Sequence, residues 1–419
     1  MQERSKRCSK EESQFVPTYG SDISQVYVPD PTSVGQHMHD AAAELVRRGY
    51  RVLVYAASRG YDDPSRKYAR RETLDGVTIR RLSFSSFGKK SIKIRLLGQL
   101  LFLLQVMLRG LFTRRLDRIL VSTSPPMASA AALFIRFFRR VPVTFWAMDI
   151  NPDQAVVMGH TPEGSLMVRA FNTLNLAILK RARGVVALDR FMAARLEAKT
   201  PIGDRMAILP PWPHESFLEP VPHHENPFRK EQELDGKFVV MYSGNISPAH
   251  SVETILEAAR RMKDHDRLVF LFIGGGNGKK RIDEFIAETD LTNVRTLHYQ
   301  PLEMIKYSLS AADVHLVSMG AEMVGIVHPC KIYGAMAVAR PILLLGPLES
   351  HAGEILDKFR IGWQVDHDDV DGAQQTLEKM VAASDVQRAD MGGRGLDGIQ
   401  QQLSMKQLCE KFCDVVERN

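Results

Sequence analysis

The residues of this chain best suited to chemistry gather around one lysine, Lys331, in the stretch MVGIVHPCKIYGAMAVARPILLL from Met323 to Leu345. A flexible Gly-Ile-Val-His-Pro lead-in, Gly325 to Pro329, delivers that cation to the start of an almost uncharged run of small residues with helical character. A cation at a helix start opposes the macrodipole by about 0.3–1 kcal/mol. The penalty reverses when a diphosphate sits between the ammonium and the helix amides, so the placement points to an anionic ligand. A solvated surface lysine is the plain alternative.

Three more loops could join it. In YSGNISPAHSVETILEAA, Tyr242 to Ala259, the turn Ser243-Gly244-Asn245 follows a strand and leads into a helix, so its amides can face an anion. In FLFIGGGNGKK, Phe270 to Lys280, Gly274 and Gly276 let the backbone approach a ring or phosphate closely. The pattern lacks the spacing of a P-loop, which it excludes. In GPLESHAGEIL, Glu349, Ser350 and Glu354 open a helix, as ordinary capping also does. Asp149 ends the strand run VTFWAMD and either lines a site or caps a helix. The DHD run at Asp366 to Asp368 is read as a cap rather than a metal pair, and His223 and His224 are assigned no metal. Four cysteines, Cys8, Cys330, Cys409 and Cys413, form no Cys-x-x-Cys pair, which fits a reducing compartment without a disulfide framework.

The elements that must position these loops alternate between short β-branched runs and helical stretches. SQVYV (Ser24 to Val28) is read as the first strand, followed by the helix GQHMHDAAAELVRRG and the strand RVLVYAAS. Ala41, Leu45 and Val46 give that helix one apolar stripe, and Gly49 stops it. A second series begins at KFVVMYSGN and runs through RLVFLFIGGG, NVRTLHYQ, DVHLVSMG, RPILLLG and IGWQVD. Strands alternating with helices predict an α/β chain of parallel sheets. In such sheets ligands sit beyond the carboxyl ends of the strands, which is where the four loops fall. At 419 residues the chain is too long for one ordinary core. The expected division is a flexible tail 1–22, a first domain 23–213, a proline- and histidine-rich linker 214–236, a second domain 237–400, and a C-terminal helix within 401–419 that packs back toward the first domain.

Charge separates the halves. Met1 to Arg205 holds 33 Lys+Arg against 18 Asp+Glu, whereas the remainder holds 22 against 31. A basic front half calls for an anionic partner. Lacking interleaved aromatic platforms or a nucleic-acid motif, the arginines favour a membrane surface over RNA or DNA. The start, MQERSKRCSKEESQ, has no apolar core of the kind a secretory signal needs. The most apolar stretch, residues 91–115, has an uncharged core of 13 residues from Leu96 to Leu108, too short to cross a bilayer. Lys93 and Arg95 precede it and Arg109, Arg114 and Arg115 follow. Such a helix is either buried against a sheet or lies in the membrane interface, and the basic front half tips the reading toward the interface.

Taken together, the loops resemble the retaining glycosyltransferases of family four, and most closely the branch that builds bacterial O-antigens and capsules. The likeness covers nearly the whole chain after Gln25 and rests on PDPTSVGQHMHDAAAELVRRGYRVLV, YSGN with its later histidine, FIGGG and VHPCKIYGAMAVARP. It implies a GT-B architecture, two Rossmann-like doubly wound domains facing across a cleft. It also implies transfer of a hexosyl or N-acetylhexosaminyl group from a nucleotide sugar (UDP favoured, GDP possible) to a glycan or polyprenyl-linked acceptor, with retention and without metal or other cofactor. By the same likeness Glu322 would touch donor-sugar hydroxyls, and Lys331 the diphosphate together with the amides of Gly325, Ile326 and Val327, with His328 also on the donor side. Gly244, Asn245, Gly274 and Gly276 would lie along the nucleotide, Asp149 near the transferring sugar, and Gly35 and His39 on the acceptor side. Two features depart from the family pattern. The second acidic residue of its paired-glutamate motif falls on Gly334, and its basic pair on Asn245 and His250. The expected setting is cytoplasmic, peripheral at the inner face of a membrane through residues 92–115. A hydrolysing sugar-nucleotide epimerase on the same architecture and a non-catalytic sugar-nucleotide-binding protein are the alternatives.

Overall fold

The computed structural model describes residues 18–30, 32–60, 65–83, 85, 92–214, 218–247 and 250–418. The tail before Thr18, Cys8 and part of the loop after Arg59 lie outside them, as do the side chains of Lys93, Arg95 and Leu96. The chain forms two compact units, Met1–Thr144 and Phe145–Asn419.

In the first unit the strands are β1 (Thr18–Ile23), β2 (Arg51–Ala57), β3 (Arg71–Leu74), β4 (Val77–Leu82) and β5 (Ile119–Ser122), lying in the order β3-β4-β2-β1-β5. All neighbours are parallel except the β3–β4 hairpin. The first strand therefore lies upstream of SQVYV, and Ser24 to Tyr27 form the buried loop that follows it. Burial gives that loop the apolar look of a strand. Thr32 caps the helix Ser33–Arg47 by accepting from the Gly35 amide, and Met38, Ala41, Ala42 and Leu45 are the buried face.

The strand β6 (Val143–Trp146) runs across the division. The second unit pairs β7 (Gly184–Ala187) with β8 (Met206–Ile208) in parallel. It also builds a six-stranded sheet from β9 (Phe238–Asn245), β10 (Leu268–Gly275), β11 (Val294–Leu297), β12 (Val314–Ser318), β13 (Ile342–Leu345) and β14 (Gly362–Val365). Its order is β11-β10-β9-β12-β13-β14, parallel throughout. The four inner strands β10, β9, β12 and β13 are almost wholly buried, and the two edge strands β11 and β14 are mostly half-buried. At the carboxyl ends of β9 and β10 burial fades: β9 is closed through Tyr242 and opens at Ser243, Gly244 and Asn245, and β10 opens at Gly275.

The apolar stretch forms one helix, Ile92–Leu111. Phe102, Leu103 and Val106 are buried, while Leu97, Leu100, Leu104 and Leu108 are exposed. One side of the helix is thus packed and the other exposed. Among the described residues no helix is long and apolar enough to cross a membrane. The segment Met405–Arg418 is the last helix, and its Phe412 ring stacks on Trp146 at 4.1 Å between centroids.

Candidate functional site

Lys331 is the first residue of the helix Lys331–Ala337 and is half-buried. Its ammonium lies 5.2 Å from the centre of the Tyr242 ring, at the end of β9. Its side chain runs along Gly244 so closely that a Cβ there would meet Lys331 Cε at 2.8 Å. Gly244, with φ +131°, is glycine because the lysine occupies the space a side chain would need. Gly274 must be glycine as well: a Cβ would fall 1.9 Å from the Gly244 carbonyl oxygen, and its φ is +142°. At Gly276 the obstacles would be Asn245 Oδ1 and the Ile246 carbonyl. The structure thus gathers Gly244, Asn245, Gly274, Gly276 and Lys331 at the carboxyl ends of β9 and β10.

Burial lowers the Lys331 pKa to about 8. Burial and the nearby Lys331 charge push His250 down to about 3, so its imidazole is neutral. Its Nδ1 donates to the Ser318 carbonyl at 2.9 Å, which leaves Nε2 as the acceptor nitrogen. A buried lysine and a neutral histidine at the mouth of a parallel sheet form a setting in which one bound anion would change the electrostatics most.

The loop before Lys331 is held from several sides. Ile326 accepts from the Ile150 amide at 3.0 Å, which sets Asp149 next to this loop. The Asp149 carboxyl is pushed up to about 6 by burial. Arg195 Nε donates to the Val324 carbonyl at 2.7 Å, and its Nη2 to that of Glu322 at 3.3 Å. Gly325 packs on the backbone of Phe191, where a Cβ would come within 2.7 Å of the carbonyl. The amides of Ile326 and Val327 both donate to the Met323 carbonyl. Glu322 itself is exposed, in a short turn from Ala321 to Met323. A pocket of about 250 Å³ beside Ile326 is lined by Asp153, Asn172, Arg195 and Lys199 among others.

His328 has both ring nitrogens engaged: Nδ1 with Asp189 Oδ2 at 2.9 Å and Nε2 with the Tyr333 hydroxyl at 2.9 Å. That hydroxyl also meets His351 Nε2 at 3.0 Å. Burial alone would raise the Asp189 carboxyl, but the His328 hydrogen bond and charge and the Met192 amide outweigh it and hold it below its usual range. Asp189, His328 and His351 are the one cluster among the described residues with the makings of a metal site, their ligand atoms lying within 4.8 Å of one another. Hydrogen bonds already claim the facing atoms of all three.

In the first unit Gly35 packs against Tyr27, whose Cα would lie 3.1 Å from a Cβ there. His39 meets the Tyr27 hydroxyl at 3.1 Å through Nδ1 and Asp75 at 2.9 Å through Nε2. Sequence reasoning missed Tyr242 as the floor under Lys331, and Asp189, Tyr333 and His351 as partners of His328. Only the strand-end position of Tyr242 could have signalled its place. The separation of Asp189 from His328, 139 residues, leaves no local signal. The DHD run does not supply the cap of the next helix. Asp369 does, accepting from the Gly372 amide.

Comparison with known proteins adds the following. Residues 224–395 match the family model described as glycosyl transferases group 1, and residues 32–212 match the glycosyl transferase 4-like domain. The chain is 26% identical over 303 residues to the probable glycosyltransferase WbjE of Pseudomonas aeruginosa, covering 72% of this chain and 75% of that one. It is 25% identical over 183 residues to the putative colanic acid biosynthesis glycosyl transferase WcaI of Escherichia coli K12, covering 43% of this chain and 45% of that one. Its fold is that of Anabaena HepE, solved in complex with UDP-glucose, at TM-score 0.69 and 14% identity over 96% of this chain and 100% of that one.

Proposed function

We propose, on the premise that this chain belongs to the group 1, family 4-like glycosyltransferases, that it moves a sugar from a nucleotide-sugar donor to a glycan or lipid-linked acceptor of a bacterial surface polysaccharide, with retention of configuration. The observation that carries the reading is Lys331, its stem laid along Gly244 and its charge over Tyr242 at the mouth of the glycine-rich strand ends. Burial makes a charge there costly, and a diphosphate offsets that cost. In the reaction, negative charge grows on the leaving diphosphate oxygen, and a fixed cation stabilises it without reorganising. Asp149 would lie beside the transferring sugar, Glu322 would meet its hydroxyls, and Gly35 and His39 would serve the acceptor side. HepE, which binds UDP-glucose, favours a UDP-sugar over a GDP-sugar, and no metal is required in this scheme. Residues 237–400 would handle the donor and 23–213 the acceptor.

The relation to WcaI, named for colanic acid synthesis, supports a surface-polysaccharide product. The exposed leucine edge of Ile92–Leu111, with Arg109 and Arg114 exposed beside it, supports peripheral attachment to an anionic inner membrane face. The test is calorimetric titration with UDP, GDP and ADP, with and without EDTA. One nucleoside diphosphate should bind selectively and without regard to chelator. Absence of binding by all three would overturn the reading.

A further inference from the structure

We propose that Asp189, Tyr333 and His351 act through His328 as positioning residues, fixing the turn from Val327 to Lys331 and with it the diphosphate end of the donor site. The proposal rests on the donor-site reading above.

The four side chains come from four places in the second unit. Asp189 caps the helix Arg190–Lys199, its Oδ1 accepting from the Met192 amide at 2.8 Å. His328 stands in the turn before Lys331, Tyr333 in the helix that Lys331 opens, and His351 at the start of the helix His351–Phe359. Hydrogen-bond accounting fixes the first link. An ionised carboxylate only accepts, so His328 carries its proton on Nδ1. Its Nε2 pairs with the Tyr333 hydroxyl, and that oxygen pairs in turn with His351 Nε2. The side chains of Asp189 and His328 are almost wholly buried, at 2% and 1% exposure, so breaking any link strands a polar group away from water.

Lys331 lies between His328 and Tyr333 in the chain, and both neighbours are pinned to points outside the turn. The upstream part of the loop has other ties, through Ile150 and Arg195. The downstream part is held by this network. Burying four polar groups stabilises less than an apolar filling of the same volume would, and what it provides is a single arrangement. With both nitrogens used, His328 has none left for the donor, so its contribution comes through Lys331. Both Asp189 oxygens accept, and an asparagine amide can replace only one of them.

The test compares nucleotides that differ by one phosphate. The wild type, Tyr333→Phe, Asp189→Asn and His351→Gln are titrated with UDP and UMP, and with GDP and GMP, after thermal unfolding confirms that each is folded. Positioning predicts that Tyr333→Phe and Asp189→Asn lower the diphosphate-to-monophosphate affinity ratio about tenfold while monophosphate affinity stays within about twofold. His351→Gln, whose amide can still pair with Tyr333 as donor or acceptor, should keep the wild-type ratio. If Tyr333→Phe does not fold, His351→Leu breaks one of its two links, the one between Tyr333 and His351, and the same fall in the ratio is expected. Variants that lose both nucleotides equally, or only unfold at lower temperature with the ratio intact, overturn the proposal and leave the donor site standing. A wild type that binds none of the four overturns the donor-site reading, and this inference with it.

Discussion

Lys331 carries opposing demands on stability and binding. Its folded pKa, about 8, lies below the ordinary lysine value, so between pH about 8 and 10.5 the unfolded chain holds a proton the folded chain has shed. Stability from this group therefore rises with pH across that window, and the penalty is in full force below it. Lys331→Met keeps the length and removes the charge. It should raise the thermal midpoint by about 1–3 °C at neutral pH, and the gain should shrink as pH rises past about 8. The same variant should weaken nucleoside diphosphate binding roughly 100-fold, the equivalent of about 2–3 kcal/mol for a charge-assisted contact. Calorimetry and thermal scans on one sample series check both, and a variant that binds as well as wild type removes the diphosphate role. Gly274→Ala tests the strand ends, since its Cβ would fall 1.9 Å from a carbonyl oxygen at φ +142°. It should cost about 2–4 kcal/mol or misfold, read from urea midpoints. The glycines and Lys331 were legible because their types are odd for their positions. Asp189, Tyr333 and His351 were not, because a capping aspartate, a helical tyrosine and a helix-start histidine are each ordinary until the fold brings them together.

At the scale of elements, periodicity alone could not say which way the Ile92–Leu111 helix faces. Its apolar residues surround the helix, so one sequence satisfies both burial and membrane contact. The structure buries Phe102, Leu103 and Val106 and bares Leu104 and Leu108. The helix Ala128–Arg139 packs beside it, with Gly110 admitting Ile135, and exposes Phe137 and Phe138. The exposed phenylalanine Phe112 extends the same run. Replacing Leu104 and Leu108 with Gln should leave stability within about 1 kcal/mol, since neither is buried. It should release the protein from vesicles of anionic lipid in a flotation assay. Folded protein that still floats would remove the membrane role, whereas Leu103 is a poor choice because its loss would unfold the helix face. The parallel strands of the second unit were easier to read, their buried β-branched runs being bounded by glycine and proline. The first strand was misplaced for a physical reason: Val26 and Tyr27 are as buried as strand residues but lie in a loop ahead of Pro29.

At the scale of the whole chain, the last helix closes a cluster that no local pattern announces. Phe412 stacks on Trp146 at 4.1 Å and meets Trp212 at 5.8 Å, and the two tryptophans lie 5.4 Å apart. The three rings end β6, follow β8 and sit in the final helix, so residues far apart in sequence share one apolar contact. All three rings are buried, and aromatic pairs at this spacing add about 0.5–1.5 kcal/mol beyond their area. The charge contrast between the halves of the chain offers no such closure, because screened surface charges act weakly over this range. Phe412→Ala should therefore cost about 3–5 kcal/mol, the range for emptying a buried aromatic site. Urea unfolding followed by tryptophan fluorescence reads the contact directly, since Trp146 and Trp212 are two of the three tryptophans, Trp363 being the third. A lower midpoint with a shifted native emission is the expected result. An unchanged midpoint would mean that the Met405–Arg418 helix adds nothing to the stability of the second unit, and that its apolar face serves some other purpose.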